Sequence, residues 1–168
     1  MLSVLIVDDE RAICYLIRKL IHWEELGLIY AGSASDGWEA WSMAQKKRPD
    51  IIITDIQMPK MNGMELIERF REEKIPTDFV IVSGYQEFEY AKQAIRFGVE
   101  DYLLKPITKN AFIERLEEIH NRYEHEKTQK EYYEKFKLEM QEYERNASRD
   151  FFESLVRADF DLEEIYRR

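Results

Sequence analysis

One cysteine, Cys14, is all the chain has. An internal disulfide is therefore excluded, and a reduced, cytoplasmic setting fits. Cys14 falls on a helix face, where a buried thiol ordinarily serves as a small core residue. Long apolar runs are also missing. The amino-terminal stretch Leu2 to Val7 is too short to cross a bilayer and runs straight into acids, so it reads neither as a signal peptide nor as a membrane span. Positive charge is in deficit, with 25 Lys and Arg against 34 Asp and Glu and a net charge of -9. That balance repels nucleic acid and anionic lipid, so neither direct nucleic-acid binding by this chain nor a membrane partner is expected. The Asn146-Ala147-Ser148 triplet has the form of a glycosylation site but carries no meaning in the cytoplasm.

At 168 residues the chain holds one full domain plus an extra segment. Short apolar runs alternate with helical patterns through the first two thirds, as a doubly wound sheet requires. Five strands are expected: Leu2 to Val7, Leu28 to Ala34, the Ile51-Ile52-Ile53 run before Asp55, Phe79 to Val82, and Asp101 to Leu104. The third is apolar without interruption, which marks a strand buried on both faces of a parallel sheet. Between the strands, Ile13, Leu16, Ile17, Leu20 and Ile21 have the spacing of one buried helix face. Ala40, Trp41 and Ala44 point inward from the second helix, Leu66, Ile67 and Phe70 from the third, and Ala91, Ala94 and Ile95 from the fourth. The fold class is α/β: a flavodoxin-like, five-stranded parallel sheet in the order 2-1-3-4-5, followed by a long carboxyl-terminal helical arm.

In that order the first and third strands are neighbours, and ligands bind beyond the carboxyl ends of such strands. Asp8, Asp9 and Asp55 all fall there. Three adjacent carboxylates repel one another, so either their pKa values rise or a hard cation sits among them; an oxygen-only donor set on a small open site favours Mg²⁺. Ser83 and Lys105 end the fourth and fifth strands on the same rim. A carboxylate beside a divalent ion can attack a phosphoryl group while a lysine neutralises the transferred oxygens, giving an aspartyl phosphate at Asp55.

From Thr108, an expected amino-terminal cap, a charged and glycine-free helix is expected to run to about Arg145. Phe112, Leu116, Ile119 and Tyr123 make one apolar stripe. Tyr133, Phe136, Met140 and Tyr143 make a second with the spacing of a coiled coil, and Glu126, Lys127 and Lys130 leave a polar gap between them. A further amphipathic piece follows at Phe151, Phe152, Leu155 and Val156. Asp161 with Glu164 has the form of a new helix start just before Arg168, which leads us to expect a truncated chain.

Val7-Asp8-Asp9, Thr54-Asp55-Ile56-Gln57-Met58-Pro59, Ser83-Gly84 and Tyr102-Leu103-Leu104-Lys105-Pro106 together resemble the receiver domain of bacterial two-component response regulators over residues 1 to about 122. The run from Ser83 to Ala91 is similar to the YesN-like branch, whose members usually carry an AraC-type DNA-binding output domain after a helical linker. That output domain is absent from this sequence. The resemblance implies a phosphoryl acceptor at Asp55, phosphorylated by a sensor histidine kinase. It implies Asp9 as a direct Mg²⁺ ligand, Asp8 as a ligand mainly through water, and the backbone carbonyl of Gln57 as another. Lys105 would pair with the phosphoryl group, and the Lys105-Pro106 bond would be cis. Ser83 and Tyr102 would form the switch, the tyrosine ring turning when the hydroxyl moves to the phosphoryl oxygen. Gln57 and Tyr85 would tune the lifetime of the phosphorylated state.

The expected organisation is a receiver domain at 1–122, a helical arm at 123–147 that pairs two copies into a phosphorylation-dependent homodimer, and the start of a linker or next module at 148–168. His22, His120 and His125 are spread over the first helix and the arm, so a histidine metal site is not expected. Two other classes compete. A Mg²⁺-dependent phosphatase with an aspartate nucleophile would want a second acid two residues after Asp55, where Gln57 stands. A non-phosphorylated dimerisation scaffold would use the arm alone.

Overall fold

The computed structural model describes residues 1–84, 88–99, 101–106 and 108–166. The expectation for Tyr85, and those for the side chains of Ala91, Phe151, Phe152, Leu155, Val156, Asp161 and Glu164, lie outside the described residues.

Among the described residues five strands, β1 (Leu2–Val7), β2 (Leu28–Ala34), β3 (Ile51–Thr54), β4 (Asp78–Ser83) and β5 (Asp101–Leu104), alternate with five helices. The helices are α1 (Arg11–Leu20), α2 (Gly37–Lys47), α3 (Gly63–Glu72), α4 (Phe88–Arg96) and α5 (Lys109–Tyr166). The strands are ordered β2-β1-β3-β4-β5, and every described pairing is parallel. Crossover helices cover the faces of such a sheet, so its middle strands have no polar side. Ile51, Ile52, Ile53 and Thr54 are accordingly at most 2 % exposed. Register places Val7 opposite Thr54 and Thr54 opposite Ile81, so the carboxyl ends of β1 and β3 are level and β4 continues two residues further, to Ser83. On the outer strand, Leu5 pairs with Gly32 directly after Val4 pairs with Tyr30, so Ala31 is an extra residue in the ladder. Lys47 Nζ donates to the Ala31 carbonyl there, a charged guard on a sheet edge.

Phe70 on α3 is the largest anchor of the core. It is fully buried and meets Trp41 of α2 and Phe79 of β4 edge-to-face, with ring centroids 5.1 and 5.2 Å away. Helix ends are set by short polar residues. Asn62 and Glu65 form a reciprocal capping box at the start of α3, Asp36 caps α2, and Thr108 Oγ1 accepts from the Ala111 amide at 3.3 Å at the start of α5.

Three expected inward residues face outward. Leu16, Leu20 and Ile95 are 54 %, 37 % and 77 % exposed. On α1 the buried row is Cys14 followed by Ile21, with Ile13 and Ile17 half-buried, while Leu16 and Leu20 belong to the neighbouring row. That second row, with Val82, Pro106 and Phe112, lines an apolar groove of about 360 Å³. On α4, Ala94 is buried and Ile95 is one step of roughly 100° around the helix from it.

The chain divides into two units, Met1–His120 and Asn121–Arg168. In the first, Phe112, Leu116 and Ile119 bury the opening turns of α5 at no more than 6 % exposure each. The second is helical through Tyr166, continuing past the expected end near Arg145 and through Asp161. Neither Gly nor Pro occurs after Pro106, so no residue there obliges the helix to stop. Its stripe of Tyr133, Phe136, Met140 and Tyr143 is exposed within that unit.

A fully packed aromatic anchor makes a direct test of this core. Phe70→Ala is expected to destabilise the chain by about 3–5 kcal/mol, read as a lower urea midpoint at unchanged slope. A cost below about 1 kcal/mol would show that α2, α3 and β4 do not meet at Phe70 as described.

Candidate functional site

Four side chains converge because backbone ladders continue one step beyond the strands. The Asp55 amide donates to the Val7 carbonyl at 2.9 Å, the Asp8 amide to Ala34 at 3.1 Å, and the Lys105 amide to Ser83 at 2.8 Å. The first residue after each of β3, β1 and β5 is thereby fixed at the same rim. Lys105 Nζ then bridges two carboxylates, reaching Asp55 Oδ2 at 2.7 Å and Asp8 Oδ2 at 3.0 Å. The Ile56 amide holds Asp55 Oδ1 at 2.6 Å, and the Glu10 amide holds Asp8 Oδ1 at 2.9 Å. Asp9 is exposed beside them, and one carboxylate oxygen from each of Asp8, Asp9 and Asp55 lies within 4.8 Å of the others.

Charge in the cluster does not balance, because three carboxylates share one ammonium. Burial pushes the Asp8 carboxyl above the usual carboxylate range, against smaller opposing effects from the Glu10 amide and Lys105. For Lys105, burial pulls downward, but its hydrogen bonds to Asp55 and Asp8 together outweigh that and raise it. The lysine therefore stays charged, while the acids retain an excess of negative charge. Hard oxygen donors at this separation fit a hard divalent cation. No histidine joins them: among the described residues, the group of His, Cys, Asp and Glu close enough to share a metal ion is Asp8, Asp9 and Asp55. Cys14 lies directly beneath, its thiol donating to the Asp8 carbonyl at 3.5 Å, and burial holds that thiol in its protonated form.

The remaining expected residues surround this cluster. Ser83 is fully buried at the end of β4, two residues beyond Ile81, which pairs with Thr54. Tyr102 pairs with Ile81 on the other side of β4 and is half-buried against the core. The Gln57 side chain is exposed in the loop after β3, and the Lys105-Pro106 bond is cis.

Sequence reasoning missed two residues, Asp36 and Lys60. Asp36 is 2 % exposed, and one of its oxygens caps α2 by accepting from the Glu39 amide at 2.9 Å. The other accepts from Lys60 Nζ at 2.6 Å, across 24 positions of sequence. This pair holds the Asp36 carboxyl below its ordinary range, the Lys60 hydrogen bond contributing most, and raises Lys60 in turn. The cap was legible in the Ser35-Asp36-Gly37 run; the lysine partner had no local signal.

Comparison with known proteins agrees with this geometry. Residues 4–117 match the response regulator receiver domain family. The chain is similar to the uncharacterized transcriptional regulatory protein YesN of Bacillus subtilis, 44% identical over 119 residues that make up 71% of this chain and 32% of that protein. It is similar also to the transcriptional regulatory protein HptR of Staphylococcus aureus, 39% identical over 107 residues, 64% of this chain and 42% of that one. Among solved structures, the REC domain of AraT, a response regulator from Geobacillus stearothermophilus, is 38% identical with a TM-score of 0.69, over 75% of this chain and 98% of that domain. The chain thus covers 32% and 42% of these regulators' lengths and nearly all of the isolated domain. Receiver domains are generally non-enzymatic signalling domains, typically bind Mg²⁺ in an acidic pocket, and are typically phosphorylated by a histidine kinase. No helix among the described residues is long and apolar enough to cross a membrane. With the parallel sheet, the acid cluster bridged by Lys105 and a family match over most of its length, this chain belongs to the response regulator receiver domains of two-component signal transduction.

Proposed function

We propose that Asp55 accepts a phosphoryl group from a sensor histidine kinase and that the resulting change is passed to the helical arm. The observation that carries this reading is the Lys105 ammonium within 3.0 Å of both Asp55 and Asp8, with Asp9 alongside. In the transfer, an Asp55 carboxylate oxygen forms a bond to phosphorus while the phosphorus–nitrogen bond to the kinase histidine breaks. The electron pair stays on the departing imidazole, which takes a proton from solvent. Asp55 attacks as an anion, so no general base is required, and His22, His120 and His125 have no role in the step.

Asp9, Asp8 through water, Asp55 and the Gln57 carbonyl would hold Mg²⁺, which when bound supplies positive charge to the phosphoryl oxygens. Lys105, beside Asp55 Oδ2, would add a second positive group. Ser83 then donates its hydroxyl to a phosphoryl oxygen, and Tyr102 turns into the space vacated, altering the surface of β5 and its neighbouring helices. A phosphatase of the aspartate-nucleophile type is the weaker reading, since the exposed amide of Gln57 cannot act as its general acid. A scaffold that never reacts leaves the cost of gathering three acids unexplained.

For the arm, the exposed stripe Tyr133, Phe136, Met140 and Tyr143 supports pairing with a second copy. The polar stretch from Glu126 to Lys130 keeps that seam weak. Weakness suits a switch, because a swing from 1:99 to 99:1 needs about 5.5 kcal/mol of differential stabilisation. If the arm leads to a DNA-binding domain of the AraC type, as the YesN-like resemblance implies, arm pairing in the cytoplasm would set the spacing of two such domains.

Incubation with acetyl phosphate and Mg²⁺ is expected to add the mass of one phosphoryl group, stably on the timescale of mass analysis, and Asp55→Asn is expected to abolish the addition. Rapid turnover without accumulation would favour the phosphatase, and no reaction the scaffold. A second test uses pH. Because the Asp8 carboxyl is raised in the fold, its stabilising, protonated form is fully present below about 3.8 and is lost as pH rises through the raised value. Asp8→Asn is therefore expected to be more stable than the native chain at pH 7 in metal-free buffer, by urea denaturation, and to lose that advantage as pH falls; lower stability of the variant at pH 7 would contradict it. For the arm, sedimentation is expected to show more dimer with acetyl phosphate and Mg²⁺ than without, and Phe136→Ser to remove it. A monomer in both states at high concentration would rule out the pairing.

A further inference from the structure

The loop between Asp55 and α3 is fastened at three places that the acid cluster itself does not require. Gly63 packs so closely on the Asp55 carbonyl that a Cβ would overlap its oxygen, and its amide donates to the Ile56 carbonyl at 2.9 Å. Gly37, at the first turn of α2, donates its amide to the Met61 carbonyl at 3.0 Å. A Cβ on Gly37 would fall 2.6 Å from the Met61 side chain and 2.7 Å from the Met61 oxygen. Between these two points Lys60 takes a left-handed backbone conformation, φ 66°, uncommon for a residue with a side chain. Its ammonium crosses to Asp36, a carboxylate that is 2 % exposed and whose other oxygen is committed to the α2 cap. A buried acid with one oxygen held by a helix end has little freedom, so the lysine that reaches it is anchored to a fixed point.

We propose that Lys60 is a positioning residue for the phosphorylation site: its pair with Asp36 straps residues 56–61 to α2, and so sets how tightly the acid cluster binds a divalent cation. The inference rests on the reading of Asp8, Asp9, Asp55 and the Gln57 carbonyl as the cation's ligands. Gln57 lies inside the strapped segment, three residues before Lys60. With the strap released, the loop samples arrangements in which its carbonyl is not presented, and the fraction of molecules ready to bind falls.

Charge alone predicts the opposite sign, which makes the inference testable. Lys60 is a cation near an anionic site, so removing its charge without any change in the loop would tighten Mg²⁺ binding. Under the strap, Lys60→Met weakens it. The experiment is calorimetric titration of the whole chain with Mg²⁺ alone for the native chain, Lys60→Met, Lys60→Arg, Asp36→Asn and the Lys60→Met/Asp36→Asn double variant. Asn at 36 can still accept from the Glu39 amide, so the helix cap survives. Amide hydrogen exchange of residues 56–61 in metal-free buffer accompanies it.

The expected result is a dissociation constant raised about three- to tenfold in Lys60→Met and in Asp36→Asn, with no further rise in the double variant, as for two ends of one interaction. Exchange in the loop rises in parallel, and Lys60→Arg restores both. Lys60 is exposed, so Lys60→Met is expected to melt close to the native chain. Unchanged or tighter binding in Lys60→Met, additive effects in the double variant, or failure of Lys60→Arg to restore binding would each overturn the strap. Failure of the underlying reading looks different: the native chain itself would bind no Mg²⁺ and gain no phosphoryl group at Asp55.

Discussion

Three carboxylates held around one ammonium are the constraint on which the rest of the molecule depends. Such a group is costly to assemble, since burial raises Asp8 and the acids repel one another. A flexible surface would let them separate. The parallel sheet does not, because Asp8, Asp55 and Lys105 each follow the last residue of a strand, and each has its own amide tied to the neighbouring strand. The fully buried isoleucines of β3 and the aromatic contacts of Phe70 are what make that rim rigid. Stability in the core is thus converted into an unfavourable local charge density, which Lys105 relieves in part and which a ligand bringing further positive charge would relieve more.

Lys105 has a double part in this arrangement. With its two carboxylate partners it reduces the net charge of the cluster, and its raised pKa keeps it charged throughout the physiological range. The same ammonium stands 2.7 Å from Asp55 Oδ2, the carboxylate proposed to accept the phosphoryl group. Its backbone bond to Ser83 links it to β4, and Tyr102, three residues before it on β5, pairs with Ile81 of the same strand. Asp55, Lys105 and the half-buried Tyr102 are thus joined by one hydrogen bond and three residues of chain.

How much of this could be read from the chain follows from the range of the interactions involved. Strand ends were legible because each apolar run stops at a charged or small polar residue, as at Val7-Asp8 and Leu104-Lys105. Strand order came with the flavodoxin-like form of the doubly wound fold, and the convergence of Asp8, Asp9, Asp55 and Lys105 followed from that order. Helix faces were less legible. Leu16 and Leu20 fit the period of a buried stripe but belong to an apolar groove that periodicity cannot distinguish from core. Asp161 with Glu164 has the form of a helix start, yet without Gly or Pro to end the helix before it the backbone runs through. The Asp36–Lys60 pair was invisible, because it joins two loops whose approach is a property of the folded sheet.

The most direct measurement is a crystal structure of the chain soaked in Mn²⁺, a divalent ion that prefers the same oxygen donors and can be located by anomalous scattering. One strong peak is expected at the rim, within about 2.3 Å of carboxylate oxygens of Asp9 and Asp55, with Lys105 still beside Asp55. A saturating soak that leaves the three acids without an ion, or places it elsewhere on the chain, would contradict the assignment of this cluster as the site where cation and phosphoryl group meet.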